Sequence, residues 1–141
     1  MAASVAKLVS IGVANAEIEG TQDLEALLAT MEGEPVYEFH PLGKRFRGMA
    51  NTRRYYEHFI AYVQPRIRGS EMISECIGPA GVVQEYNVTA HHDGDAQPTV
   101  HRIMAILTFG ENALSGERMY SDEKLFRLLV GPLWDELEPI G

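Results

Sequence analysis

Residues 70–121 read SEMISECIGPAGVVQEYNVTAHHDGDAQPTVHRIMAILTFGENALSGERMYS, and this stretch decides the fold class. Four runs of β character, 70–77, 81–92, 98–109 and 113–121, are separated by Gly78-Pro79, Asp93-Gly94-Asp95 and Gly110-Glu111-Asn112. Glycine beside proline, aspartate or asparagine supplies the backbone angles that tight turns need, so consecutive runs are expected to pair as an antiparallel meander. Immediately downstream, Asp122 is placed to cap a short helix over Glu123 to Val130. Gly131-Pro132 ends that helix, and Leu133, Trp134 and Leu137 form an apolar tail that needs a surface to lie on.

Upstream of the meander the period changes from two to helical. Residues 3–17 read as an amphipathic helix ended by Gly20. Thr21 then starts a second helix, whose stripe of Leu24, Leu27, Leu28 and Met31 is stopped by Gly33. After Pro35, Val36 to His40 alternates as a short strand, closed by Pro41 and Gly43. From Ala50 to Val63 a third helix carries Thr52, Tyr55, Tyr56, Phe59, Tyr62 and Val63 near one face, with Arg53, Arg54, Glu57 and His58 largely opposite. Helices first and a meander after predict an α+β two-layer domain, in which a strongly curved antiparallel sheet packs around three helices of the first half and leaves a pocket at its mouth.

The chain has 141 residues, the size of one domain, with 45% hydrophobic residues and no low-complexity run. A formal charge of −8 opposes tracking a phosphate backbone, so nucleic acid is not an expected partner. The local basic run of Lys44, Arg45 and Arg47, followed by Arg53 and Arg54, reads as an anion site or as a solvated loop and helix face. Lys7 followed by the apolar run Leu8 to Ala14 and the small-x-small string Ala14-Asn15-Ala16 has the outline of a leader peptide, but helical spacing of Val5, Leu8, Val9, Gly12, Val13 and Ala16 favours a helix of the domain. No apolar run is long enough to cross a bilayer, and the single Cys76 calls for no oxidising compartment, so the cytoplasm is expected.

The order helix, helix, strand, helix, four strands, helix resembles the cone of the nuclear-transport-factor-2 (NTF2-like) superfamily, and several strings resemble its SnoaL-like, ketosteroid-isomerase-like members. Phe39-His40-Pro41-Leu42-Gly43 followed by Phe46-Arg47-Gly48 is similar to the strand and loop leading to the long helix, and Arg54-Tyr55-Tyr56-Glu57-His58-Phe59 to the start of that helix. Leu114, Arg118, Tyr120 and Asp122, then Leu125, Leu129 and Gly131, resemble the last strand and its following helix. The resemblance implies a hydrophobic small-molecule pocket without metal or organic cofactor, and a homodimer formed through the outer sheet face. Two functions stay open: a cofactor-independent isomerase, cyclase or hydrolase, or a non-catalytic binding or assembly module.

In catalytic relatives a pocket carboxylate moves a proton, and Asp122 is the positional match to that acid. Asp122 also reads as the cap of the last helix, and both roles would need the same oxygen atoms. Alternation puts Arg118, Tyr120 and Asp122 on one strand face and Thr99, His101 and Ile103 on one face of the strand before. If both faces look inward, Asp122 carries the proton, His101 partners it, and Tyr120 donates to a carbonyl. The opposite face of the 98–109 strand is equally mixed. His40, sharing a face with Glu38, is a fourth candidate at the pocket mouth near Tyr56, while Tyr37, Phe39, Tyr56, Phe59 and Arg118 are expected to contact the ligand. Glu75 and Glu85 read as solvated. His91-His92 cannot chelate one metal ion together, because adjacent strand residues point to opposite faces. No phosphate loop, serine elbow or zinc spacing is present.

Overall fold

The computed structural model describes residues 4–19 and 21–141. Ala3 and Gly20, the expected start and stop of the first helix, lie outside the described residues, as does the side chain of Ala16. Helix α1 spans Val5–Glu19, α2 Leu24–Ala29, α3 Met49–His58 and α4 Glu123–Val130. Strands are β1 (Met31–His40), β2 (Lys44–Arg47), β3 (Ile67–Gly78), β4 (Gly81–Ala90), β5 (Thr99–Phe109), β6 (Leu114–Tyr120) and β7 (Glu138–Pro139). Past His58 the helical path widens into a π turn over Phe59–Val63 and tightens again over Gln64–Arg66.

The expected meander is β3 to β6. All seven strands form one sheet in the order β3-β4-β5-β6-β1-β2-β7. The sheet is mixed, because β1 runs parallel to β6 while every other neighbouring pair is antiparallel. Helix α2 is shorter than expected. Asp23 is its cap, accepting from the Ala26 amide at 3.0 Å, and Met31 to Pro35 belong to β1. The stripe Leu24, Leu27, Leu28, Met31 is therefore apolar at helical spacing without being helical to its end. Pairing of Met31 with Leu114 decides the conformation there, and Gly33 (φ 64) lies in the irregularity between Met31 and Val36. The basic run Lys44–Arg47 is a strand rather than a loop, with Arg45 and Arg47 reaching Glu138 at 3.7 and 3.4 Å.

Aromatic rings fill the centre between sheet and helices. Tyr37 of β1 stacks on Phe46 of β2 at 4.9 Å, and Phe39 meets Phe126 of α4 edge-on at 5.1 Å. The Tyr37 and Tyr56 hydroxyls share a 2.8 Å hydrogen bond, which satisfies polar tips that burial would otherwise penalise. Leu133 and Leu137 of the tail are buried in this same core. Strand β3 is different: it is exposed along nearly its whole length.

Register fixes which side chains face the helices. Residues opposite one another on paired strands share a face. Ala105 pairs with Met119 and Leu107 with Glu117, and all four are buried. Met104 pairs with Tyr120 and Ile106 with Arg118, which puts Tyr120 and Arg118 on the outer face. The expected cluster of His101, Arg118 and Tyr120 on one inner face is thus corrected: His101 faces inward and the other two outward.

Candidate functional site

Between the inner sheet face and helices α3 and α4 lies a cavity of about 810 Å³. Phe59, Pro65, Ile67, Met72, Val88, Ile103, Met119, Leu125 and Leu129 give it an apolar wall. Polar groups come from Gln22, Gln64, Ser70 and Gln84, the hydroxyls of Tyr55 and Tyr86, and the carboxyl of Glu117. The π turn positions Phe59, and the tight turn after it brings Gln64 and Pro65 to the cavity. Such wider turns often occur where a helix must present side chains to a site.

Glu117 is the residue that sequence reasoning missed. It is 7% exposed, faces inward from β6, and pairs in register with Leu107 on one side and Tyr37 on the other. In Leu114-Ser115-Gly116-Glu117-Arg118-Met119-Tyr120 neither alternating set is clearly apolar, so the string itself gives no preferred face. The signal lay one strand away: Ile103, Ala105 and Leu107 are an apolar alternating set, and their pairing partners include Met119 and Glu117.

Asp122 and His101 do meet. His101, 2% exposed, places Nδ1 at 2.6 Å from Asp122 Oδ2. Asp122 Oδ1 accepts from the Leu125 amide at 2.8 Å, so the cap and the histidine contact use different oxygens, contrary to expectation. Burial pushes the Asp122 carboxyl up, but the hydrogen bonds from His101 and the Leu125 amide outweigh it and hold the group below its ordinary range. The other ring nitrogen of His101 lies 2.8 Å from His92 Nε2. With both nitrogens engaged, His101 is built into a chain Asp122–His101–His92 rather than into the cavity wall. His92 opens on a shallow groove beside Lys124 and Arg127.

The remaining candidates are spread over two faces. His40 is outward, 2.9 Å from Glu38 and stacked on Tyr120 at 4.9 Å, with Tyr120 42% exposed. This corrects its placement at the mouth near Tyr56, since Tyr56 is on the helix side of the sheet. Arg118 is half-buried on the outer face. Tyr37, Phe39 and Tyr56 are core residues rather than cavity lining, because β1 lies at the aromatic centre; Phe59 does line the cavity. Asp93 and Asp95 neighbour His92 in sequence but are engaged by Arg66 and Lys124.

No family model and no curated protein matches the sequence. Solved structures do. A Catenulispora acidiphila protein of ketosteroid-isomerase-like fold, solved in complex with trimethylamine, is 15% identical over 78% of this chain and 83% of its own, with a TM-score of 0.62. An NTF2-like protein of Cytophaga hutchinsonii is 10% identical over 82% and 99%, with a TM-score of 0.65. The chain has the NTF2-like fold. Another chain of this fold, a Xanthomonas campestris candidate polyketide cyclase, is 16% identical over 89% and 97%, with a TM-score of 0.63. In this NTF2-like chain no helix among the described residues is long and apolar enough to cross a membrane.

Proposed function

We propose that this chain is a single NTF2-like domain that binds a hydrophobic, ring-bearing small molecule in the cavity and moves a proton on it through Glu117. The chemistry is that of a cofactor-independent isomerase, cyclase or hydrolase. One observation carries the reading: a buried acid, Glu117, is among the residues that line a cavity of about 810 Å³ with a mixed apolar and polar wall, a volume typical of small-molecule sites. A carboxylate so placed can take a proton from a carbon next to a carbonyl, or from water. The chain Asp122–His101–His92 holds the start of α4, whose Leu125 and Leu129 form part of the wall. Asp122 and His101 act in this reading as positioning residues. The exposed thiol of Cys76 fits a reducing compartment, and we place the protein in the cytoplasm.

A thermal-shift screen with steroid-like, polyketide-like and terpenoid ligands tests the pocket. A ligand at about 100 times its dissociation constant adds ~2.7 kcal/mol of stability. The expected result is hits in one chemical class for the wild type, with turnover of that class lost in Glu117→Gln. Turnover that survives the substitution removes Glu117 from the chemistry.

A second reading, a dimeric assembly module, rests on the outer face of the sheet. Val100, Met104 and Tyr120 are exposed there, apolar side chains that a second copy could cover. Sedimentation across a concentration series is expected to show a dimer. Monomer throughout would leave that face without a partner copy.

A further inference from the structure

With the cavity taken as the binding site proposed for this chain, its charge pattern restricts the ligand beyond size and hydrophobicity. Among the described residues that line it, one is acidic, Glu117, and none is Lys, Arg or His. The other polar groups are amides and hydroxyls, which can serve a donor or an acceptor and so do not choose a charge. The rings of Tyr55, Phe59 and Tyr86 and the thioethers of Met72 and Met119 are polarisable, electron-rich neighbours. Around the cavity the whole chain carries a formal charge of −8. Its field concentrates cations near the surface and depletes anions.

The geometry points to a ligand that is a hydrophobic amine, bound as its ammonium form with Glu117 as counter-charge. An anionic isostere meets the opposite situation. Its carboxylate would enter a partly enclosed cavity whose described lining already holds a carboxyl and offers no Lys, Arg or His, so the two like charges repel and its binding is weakened. Glu117 on the rigid sheet cannot withdraw, since its backbone is paired on both sides with β5 and β1.

The test uses three fluorescent isosteres with the same tricyclic body: anthracenylmethylamine, anthracenylmethanol and anthracene carboxylate, titrated into the wild-type chain at neutral pH. The expected order is amine tightest, alcohol intermediate and carboxylate weakest, with the amine at least about tenfold tighter than the carboxylate, as two like charges several ångströms apart at a protein-like dielectric imply. In Glu117→Gln the gap between amine and carboxylate is expected to close. A carboxylate that binds as well as the amine to the wild type overturns the inference while leaving a small-molecule pocket in place. A gap that persists unchanged in a folded Glu117→Gln also overturns it, because the selection would then come from elsewhere. Binding of none of the three up to millimolar concentration removes the pocket itself, and this inference with it. The wild-type order needs no variant, so the test stands even where Glu117→Gln folds poorly.

Discussion

Gly116→Ala is expected to destabilise the chain by about 4 kcal/mol, at the upper end of what single substitutions do. Gly116 lies in β6 at φ 137, a conformation that L side chains rarely adopt, and a β-carbon there would sit 1.9 Å from the Val36 carbonyl oxygen and 2.7 Å from the Val36 nitrogen. Both are backbone atoms of the parallel neighbour β1 and cannot swing aside. Gly33→Ala provides the comparison. It also has positive φ, at 64, but nothing lies within 4 Å of its added carbon. Only the torsional strain remains there, about 1 kcal/mol. Urea unfolding of both variants separates the two terms; equal losses would mean that β1 and β6 do not approach one another this closely.

Asp122→Ala ranks next, with an expected loss of about 2–3 kcal/mol. It removes the cap of α4 and leaves the Nδ1 of buried His101 without its 2.6 Å partner. Asp122→Asn keeps a cap acceptor and is expected to lose less. The same cluster sets the response to acid. Burial pushes the His92 imidazole below its ordinary 6.5, helped by the neighbouring His101 and Lys124 and opposed by Asp95 and Asp122. Between that lowered value and 6.5 the unfolded chain binds a proton that the folded chain does not, so this contribution is complete above 6.5 and lost as pH falls below it. Asp122 acts further down: its folded value lies below 3.8, so its contribution holds above 3.8 and is lost as pH falls through the lowered value. Melting temperatures measured from pH 8 to pH 3 are expected to drop in two stages. His92→Gln removes the upper one, and an unchanged upper stage would assign it to another group.

How far the sequence spoke depended on whether a segment carried its own instructions. Turn chemistry at Gly78-Pro79, Asp93-Gly94 and Gly110-Glu111 marked the meander, and Asp122 marked the start of α4. Both are local signals, written in the residues that adopt the conformation. The run from Met31 to Pro35 was not legible, because its strand conformation comes from pairing with β6 far along the chain. Site geometry failed for the same reason. Alternation says which residues of a strand share a face, but the choice of inner face belongs to the pairing register. That choice moved Tyr120 and His40 outward, brought Glu117 inward, and left Asp122, just past the strand end, to reach His101 by way of the helix cap. Tyr37 and Phe39 illustrate a different limit: aromatic side chains facing inward serve a core or a cavity equally well, and only the depth of their strand in the sheet separates the two.

The parallel pairing of β1 with β6 also orders events in time. It joins positions 37 and 117, so the strand that β1 pairs with in parallel emerges from the ribosome only after β3, β4 and β5. Closing so long a loop is entropically unfavourable until local contacts have shortened it, and the β3–β6 hairpins supply that shortening. The second half is therefore expected to assemble first and act as the template onto which β1, made earlier, docks last. Until then the edge of β1 that faces away from β2 waits unpaired beside exposed aromatic rings, which makes nascent chains that end before β6 the aggregation-prone species of this protein.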